Sequence, residues 1–151
     1  MAVATWRLAY GSWDYQHFLS SYQNLSFQDF SIDLITSNQV FEHVPNYIIG
    51  FRECYRVLKE GGALIFSVPL YDLPNTEKLA EIIDGKVVFY SPPEYHDSRI
   101  AGPKSALTFW RHSKNDICEA LMEVGFDAEV VYVNFPGLTI SPAPVVYAVK
   151  N

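Results

Sequence analysis

The stretch from Ile32 to Leu70, IDLITSNQVFEHVPNYIIGFRECYRVLKEGGALIFSVPL, constrains the fold more than any other part of this chain. Ile32 to Thr36 is a short run of β-branched and apolar residues, and it closes on the polar trio Ser37, Asn38 and Gln39. From Tyr47 the apolar residues fall at Tyr47, Ile48, Phe51, Cys54, Tyr55 and Leu58, which is helical spacing. Arg52, Glu53, Arg56, Lys59 and Glu60 fill the other face, so one side meets a core and the other water. The spacing predicts a helix over Tyr47–Lys59, stopped by Gly61-Gly62 through a left-handed cap. Ala63 to Val68 is a second apolar strand, ended by Pro69. Two apolar strands joined by one amphipathic helix form a βαβ unit, so Ile32–Ser37 and Ala63–Val68 are expected to lie side by side and parallel.

Around this unit the pattern is looser. Val3 to Tyr10 reads as a strand ended by Gly11-Ser12, Asp14 to Asn24 has no clean period, and Leu25 to Asp29 is a turn. Beyond Pro69, Pro74-Asn75 is turn chemistry, and Thr76 to Ile83 is expected to form a short helix with Leu79, Ile82 and Ile83 inward and Asp84-Gly85 as its stop. Lys86 to Tyr90 reads as a strand, and Ser91 to Asp97 as a rigid polar loop that cannot join a central sheet. Ser113-Lys114-Asn115-Asp116 fits a capping box. It opens a helix with Ile117, Ala120, Leu121 and Val124 on one face and Gly125 as its end. Strands follow at Asp127–Val133 and Val145–Lys150, separated by a Pro136-Gly137 turn. The whole of residues 1–151 reads as a single domain.

The formal net charge of −6 argues against a general electrostatic grip on nucleic acid or on an anionic membrane surface. There is no apolar run of membrane-spanning length and no basic-then-apolar leader pattern at the N-terminus, so a cytoplasmic protein is expected. The two cysteines read as a core thiol, Cys54, and a half-buried one, Cys118; neither a disulfide framework nor a metal site is indicated.

FSIDLITSNQVFEHV followed by FRECYRVLKEGGALIFSVP resembles the core of class I S-adenosylmethionine-dependent methyltransferases, the type 11 branch in particular. The matching positions are Ile32-Asp33-Leu34, Glu42-His43-Val44, Glu53, Arg56-Val57-Leu58-Lys59 and Gly61-Gly62. The resemblance implies an α/β, Rossmann-like sheet, mostly parallel, closing on a C-terminal antiparallel hairpin. It also implies S-adenosylmethionine as cofactor and methyl transfer to a small-molecule or glycan-like acceptor. Ligands of open α/β sheets sit beyond the carboxyl ends of the strands. Ser37, Asn38 and Gln39 occupy that rim after one strand and Pro69 after the next, which makes them the expected cofactor contacts.

His43 is a candidate proton acceptor, since an imidazole titrates near neutrality, whereas Glu42 beside it is equally explained by a helix N-terminus that favours negative charge. His96, with Tyr95 and Asp97 in the proline-rich loop, is a second candidate base, and Trp110, Arg111 and His112 read as active-site cover or as plain surface.

The chain departs from the family pattern at its start. It contains no G-x-G, no carboxylate follows Val3–Tyr10 closely, and Ser20-Ser21 stand where an acid is expected. It therefore reads as a domain that begins after its first strand and helix, which leaves the Ile32–Ser37 strand an unprotected edge unless Val3–Tyr10 moves in to pair with it; of these outcomes self-association or marginal solubility is the one expected. Two other readings stand beside the methyltransferase. One is a non-catalytic remnant that binds a partner; the other is a nicotinamide-dependent oxidoreductase, against which the missing G-x-G-x-x-G also counts.

Overall fold

The computed structural model describes residues 1–6, 24–98, 102–134, 137 and 141–151. Its centre is a five-stranded sheet built from β1 (Val3–Trp6), β2 (Ile32–Asn38), β3 (Leu58–Ser67), β11 (Phe126–Val133) and β12 (Ala143–Lys150), in the order β1-β2-β3-β12-β11. β1, β2 and β3 are parallel, and β12 runs antiparallel to both β3 and β11. Four of the five strands thus run the same way, with β12 reversed, and the sheet closes on an antiparallel hairpin, as expected. The α1 helix (Tyr47–Val57) makes the crossover from β2 to β3, and Ile35 pairs with Leu64 and Ser37 with Phe66.

Alternation decides which face the helices cover. Ile35, Leu64, Phe66, Val146 and Ala148 are buried in one core with Tyr47, Phe51, Cys54 and Val57 of α1 and with Ile117, Ala120 and Leu121 of the α2 helix (Lys114–Val124). On the opposite face Leu34, Thr36, Ala63 and Ile65 are half-buried and Tyr147 is exposed. Cys54 is a core thiol and Cys118 is half-buried; both are free. Phe51 packs edge-on against Phe41 at 4.8 Å and Tyr47 at 5.4 Å. Tyr55, expected in the core, is half-buried with its ring edge-on to Phe126.

The end of α1 differs from the glycine cap read in the sequence. The helix stops at Val57, and Leu58 to Gly62 already belong to β3 as a bulge, since Ile32 pairs with Leu58 but Leu34 pairs with Ala63. A Cβ on Gly62 would lie 2.8 Å from the Lys59 carbonyl oxygen, so this glycine serves close backbone approach in the bulge. The helix C-terminus is instead satisfied from afar. Lys150 Nζ, almost fully buried, donates to the carbonyls of Tyr55 at 2.8 Å and Leu58 at 2.9 Å, where the helix dipole favours a cation.

The Ile32–Ser37 strand is not left as an edge, because β1 pairs along it from Val3↔Leu34 to Trp6↔Ser37. The rest of the Val3–Tyr10 strand, Gly11-Ser12, most of Asp14–Asn24 and Pro136 lie outside the described residues.

The segment after Pro69 is β structure, not helix. Short strands β4 (Leu70–Tyr71) and β5 (Glu77–Lys78) flank β10 (Trp110–Ser113). The expected Thr76–Ile83 helix is replaced by β5 and by a hairpin of β6 (Ala80–Ile83) and β7 (Lys86–Phe89). Asp84 and Gly85 both take positive φ, as a two-residue type I′ turn requires, so Asp-Gly joins two strands and ends no helix. Leu79 is buried, but Ile82 is half-buried and Ile83 exposed.

The expected polar loop at Ser91–Asp97 contains part of β8 (Tyr95–Ser98), which pairs with β9 (Gly102–Leu107) outside the central sheet. The capping box of α2 does not form either. Ser113 Oγ donates to the Leu73 carbonyl, while Asp116 Oδ2 accepts from the Thr76 backbone N–H, so both side chains fasten the 73–76 turn to the helix start. Gly125 and a buried Phe126 end the helix as expected. No helix among the described residues is long and apolar enough to cross a membrane.

Candidate functional site

β2 and β3 are adjacent and parallel, so their carboxyl ends open on one rim. Ser37 is buried there with no hydrogen-bond partner for its hydroxyl among the described residues, and Asn38 is exposed. Gln39 takes a φ of 53°, unusual for a residue with a side chain, and is held by its backbone N–H donating to the Ser67 carbonyl at 2.8 Å. Ser67 Oγ donates to Asn38 Oδ1, and Gln39 Nε2 donates to Ser67 Oγ at 3.4 Å. Pro69 is half-buried two residues farther along. The four rim residues singled out in the sequence are therefore carried by two neighbouring strand ends, with Ser67 as a linking residue that apolar patterning did not mark.

Val40 leads from this rim into a 3₁₀ turn, Phe41–His43, that precedes α1. Glu42 and His43 therefore do not open the helix; Asn46 caps it, with Oδ1 accepting from the Ile49 N–H at 3.3 Å. The dipole explanation for Glu42 fails, and both side chains are buried at 1% exposure. The chain crossing above them fixes this turn. Phe109 N–H donates to the Glu42 carbonyl at 2.8 Å, and Trp110 Nε1 donates to the Val44 carbonyl at 2.9 Å. The β8–β9 hairpin then brings His96 to His43, with ring centroids 4.9 Å apart and planes at 87°. The two histidines singled out separately in the sequence thus meet, 53 residues apart, with Glu42 between them.

Glu42 Oε1 lies 3.7 Å from His43 Nε2 and 3.7 Å from His96 Nδ1. These are not ion pairs. Burial pushes the Glu42 carboxyl up to about 8, against only a weak opposing pull from its own backbone N–H, so near neutrality it is a protonated acid. Burial pushes His43 down to about 4, the Leu107 carbonyl working the other way and His96 adding to the depression. Burial also lowers His96, which Asp97 partly counters. At neutral pH the cluster holds one neutral acid and two neutral imidazoles. His43 Nδ1 lies 2.8 Å from the Leu107 carbonyl oxygen, which can only accept, so Nδ1 carries the proton and Nε2 presents a lone pair to Glu42 and His96.

Of Trp110, Arg111 and His112, expected as cover or plain surface, Trp110 and Arg111 are half-buried and only His112 lies inside the core. His112 is fully buried beneath the Tyr47 ring at 4.8 Å and is pushed down to about 4 by burial. Arg111 is half-buried and pairs with Glu94 and with Glu77. The residue that sequence reasoning undervalued is Glu42. Its signal was a lone carboxylate inside the otherwise apolar run Val40-Phe41-Glu42-His43-Val44.

Comparison with known proteins agrees with the fold. The family described as "Methyltransferase domain" matches residues 3–66. Malonyl-[acyl-carrier protein] O-methyltransferase 1 of Coxiella burnetii is 45% identical over 49 residues, which cover 32% of this chain and 17% of that protein. An S-adenosylmethionine-dependent methyltransferase from Mesorhizobium loti superposes with a TM-score of 0.55 at 20% identity, over 85% of this chain and 67% of its own. The 1,6-didemethyltoxoflavin-N1-methyltransferase of Burkholderia thailandensis, solved with 1,6-didemethyltoxoflavin and S-adenosylhomocysteine, gives 0.55 at 14% identity, over 86% of this chain and 48% of its own. This chain thus spans about a sixth of the curated relative and between half and two thirds of the solved ones.

Proposed function

We propose that this chain, which carries the methyltransferase-domain pattern over residues 3–66 on the Rossmann-like fold of class I methyltransferases, takes part in S-adenosylmethionine-dependent methyl transfer to a small-molecule acceptor. The observation that carries the reading is the common rim of β2 and β3, where the matched segment sets polar groups at the place such folds bind ligands.

The residues on this rim fit the methionine half of the cofactor. The Ser37 hydroxyl is buried without a partner among the described residues, and Asn38, Gln39 and Ser67 form a polar string beside it, with Pro69 as an apolar flank. Ser37, Asn38, Gln39 and Pro69 would hold the cofactor there. When bound, the cofactor supplies an electrophilic methyl group on a sulfonium, so the protein needs to align the acceptor and to receive its proton. In this reading His96, neutral and half-exposed, receives it, and His43 Nε2 offers a second lone pair in the tautomer fixed by Leu107. Protonated Glu42 lies beside both imidazoles and adds no charge to them.

Calorimetric titration with S-adenosylmethionine tests the proposal. Saturable binding is expected, weak because the chain lacks a G-x-G turn, and reduced by Asn38→Ala and Gln39→Ala but not by Glu119→Ala on the exposed side of α2. Absence of saturable binding, or equal effects from all three substitutions, would overturn it.

A further inference from the structure

The Glu42–His43–His96 cluster has three properties that proton transfer does not require. The first is spacing. One ligand atom from each residue lies within 4.8 Å of the others, and the two measured separations from Glu42 Oε1 are both 3.7 Å. That is too long for hydrogen bonds, yet it suits donors arranged around a common centre. An ion between them would lie no more than roughly 2.4 Å from each, against about 2.0–2.2 Å for zinc with nitrogen and oxygen ligands, so side-chain rotations of a few tenths of an ångström would close the shell.

The second is the state of Glu42. Its side chain is 1% exposed, and among the described residues neither carboxylate oxygen has a partner within hydrogen-bond distance. A buried carboxyl without a partner is costly, and native structures keep one where something else satisfies it. The third is His43. Its Nδ1–H is fastened to the Leu107 carbonyl, which leaves Nε2 as the lone pair facing the cluster. A ligating imidazole is oriented in this way, with its outer nitrogen tied to a backbone carbonyl.

We propose that Glu42, His43 and His96 form a binding site for a divalent transition-metal ion, held by one carboxylate and two imidazoles. His96 is 35% exposed, so the site is open on that side and leaves a coordination position to an oxygen donor from solvent or from a ligand. Two imidazoles and one carboxylate suit zinc and its first-row neighbours; calcium and magnesium call for oxygen-rich shells. With the ion in place, the lone pairs of His43 and His96 are committed to it. Metal binding and the proton-accepting role given to the same histidines then exclude one another at any moment, and the ion acts as a Lewis acid toward the oxygen it holds. The site is a matter of binding alone and stands or falls apart from methyl transfer.

The test is titration of the chelator-stripped chain with zinc by calorimetry, and with cobalt(II) by visible absorption, both without cofactor. One equivalent is expected to bind, with cobalt giving the intense ligand-field bands of a low-symmetry site. Glu42→Gln and His96→Ala should each weaken binding at least tenfold, since even outer-shell losses cost about 10- to 100-fold. Glu119→Ala should leave it unchanged. His96 is half-exposed, so its truncation spares the core should Glu42→Gln fold poorly. Zinc affinity unaffected by His96→Ala, or cobalt giving only the pale spectrum of the hydrated ion, would overturn the proposal.

Discussion

Replacing Glu42 by glutamine removes one titrating proton and little volume. Below pH 4.5 the carboxyl is protonated in folded and unfolded chains alike, and its burial carries no ionisation cost. Between 4.5 and about 8 the unfolded chain releases this proton while the folded chain retains it, because burial raises the folded value. The folded state then binds more protons, so stability falls as pH rises, by about 1.4 kcal/mol per unit. Over the whole window the loss comes to about 5 kcal/mol, comparable with the entire stability of a small domain at about 5–15 kcal/mol. His43 and His112, lowered from 6.5 to about 4, act in the opposite sense: the unfolded chain takes up their protons first, and stability is lost as pH falls through that range. Both proteins share these histidine contributions, so they cancel in the difference. The assay is urea unfolding of the wild type and Glu42→Gln, with chelator present, from about pH 5 to about pH 9. The variant should gain on the wild type steadily above the mid-acid range and level off past pH 8. Parallel stability curves would refute the argument, because they would mean that Glu42 ionises in the folded state as readily as in water.

Phe51→Ala removes a fully buried ring that meets Phe41, Tyr47 and Phe66, and should cost about 3–5 kcal/mol by urea unfolding. Gly62→Ala forces a Cβ to 2.8 Å from the Lys59 carbonyl and should cost about 1–3 kcal/mol, which thermal unfolding would read as a lowered midpoint. Lys150→Met keeps the bulk but leaves the Tyr55 and Leu58 carbonyls without their donor; hydrogen exchange should accelerate at the last turn of α1 before the rest of the helix.

Local order along the chain was enough for the βαβ unit and the closing hairpin. Apolar spacing at Tyr47, Phe51 and Cys54 and the nearly unbroken apolar runs at Ile32 and Ala63 each commit a segment to one element, and right-handed crossover then leaves little freedom in placing them. The same order placed Ser37, Asn38, Gln39 and Pro69 on one rim, since a strand end is defined by where its apolar run stops. Failure came where several weak signals competed. Thr76–Ile83 has helical spacing over too few residues to outweigh an Asp-Gly turn and pairing with Lys86–Phe89, and Ser113-Asp116 gave up its box to hold the 73–76 turn. The cap of α1 and the Glu42–His43–His96 cluster were beyond any local reading, because Lys150 lies 92 residues from Leu58 and His96 lies 53 residues from His43. Residue types alone determined which segments could pair and which face would be buried. Only the folded chain decided that a buried carboxyl, a buried imidazole and a half-exposed one meet in one place, because burial and mutual distance, which set both their charge state and their chemistry, are properties of the packing and not of the order of residues.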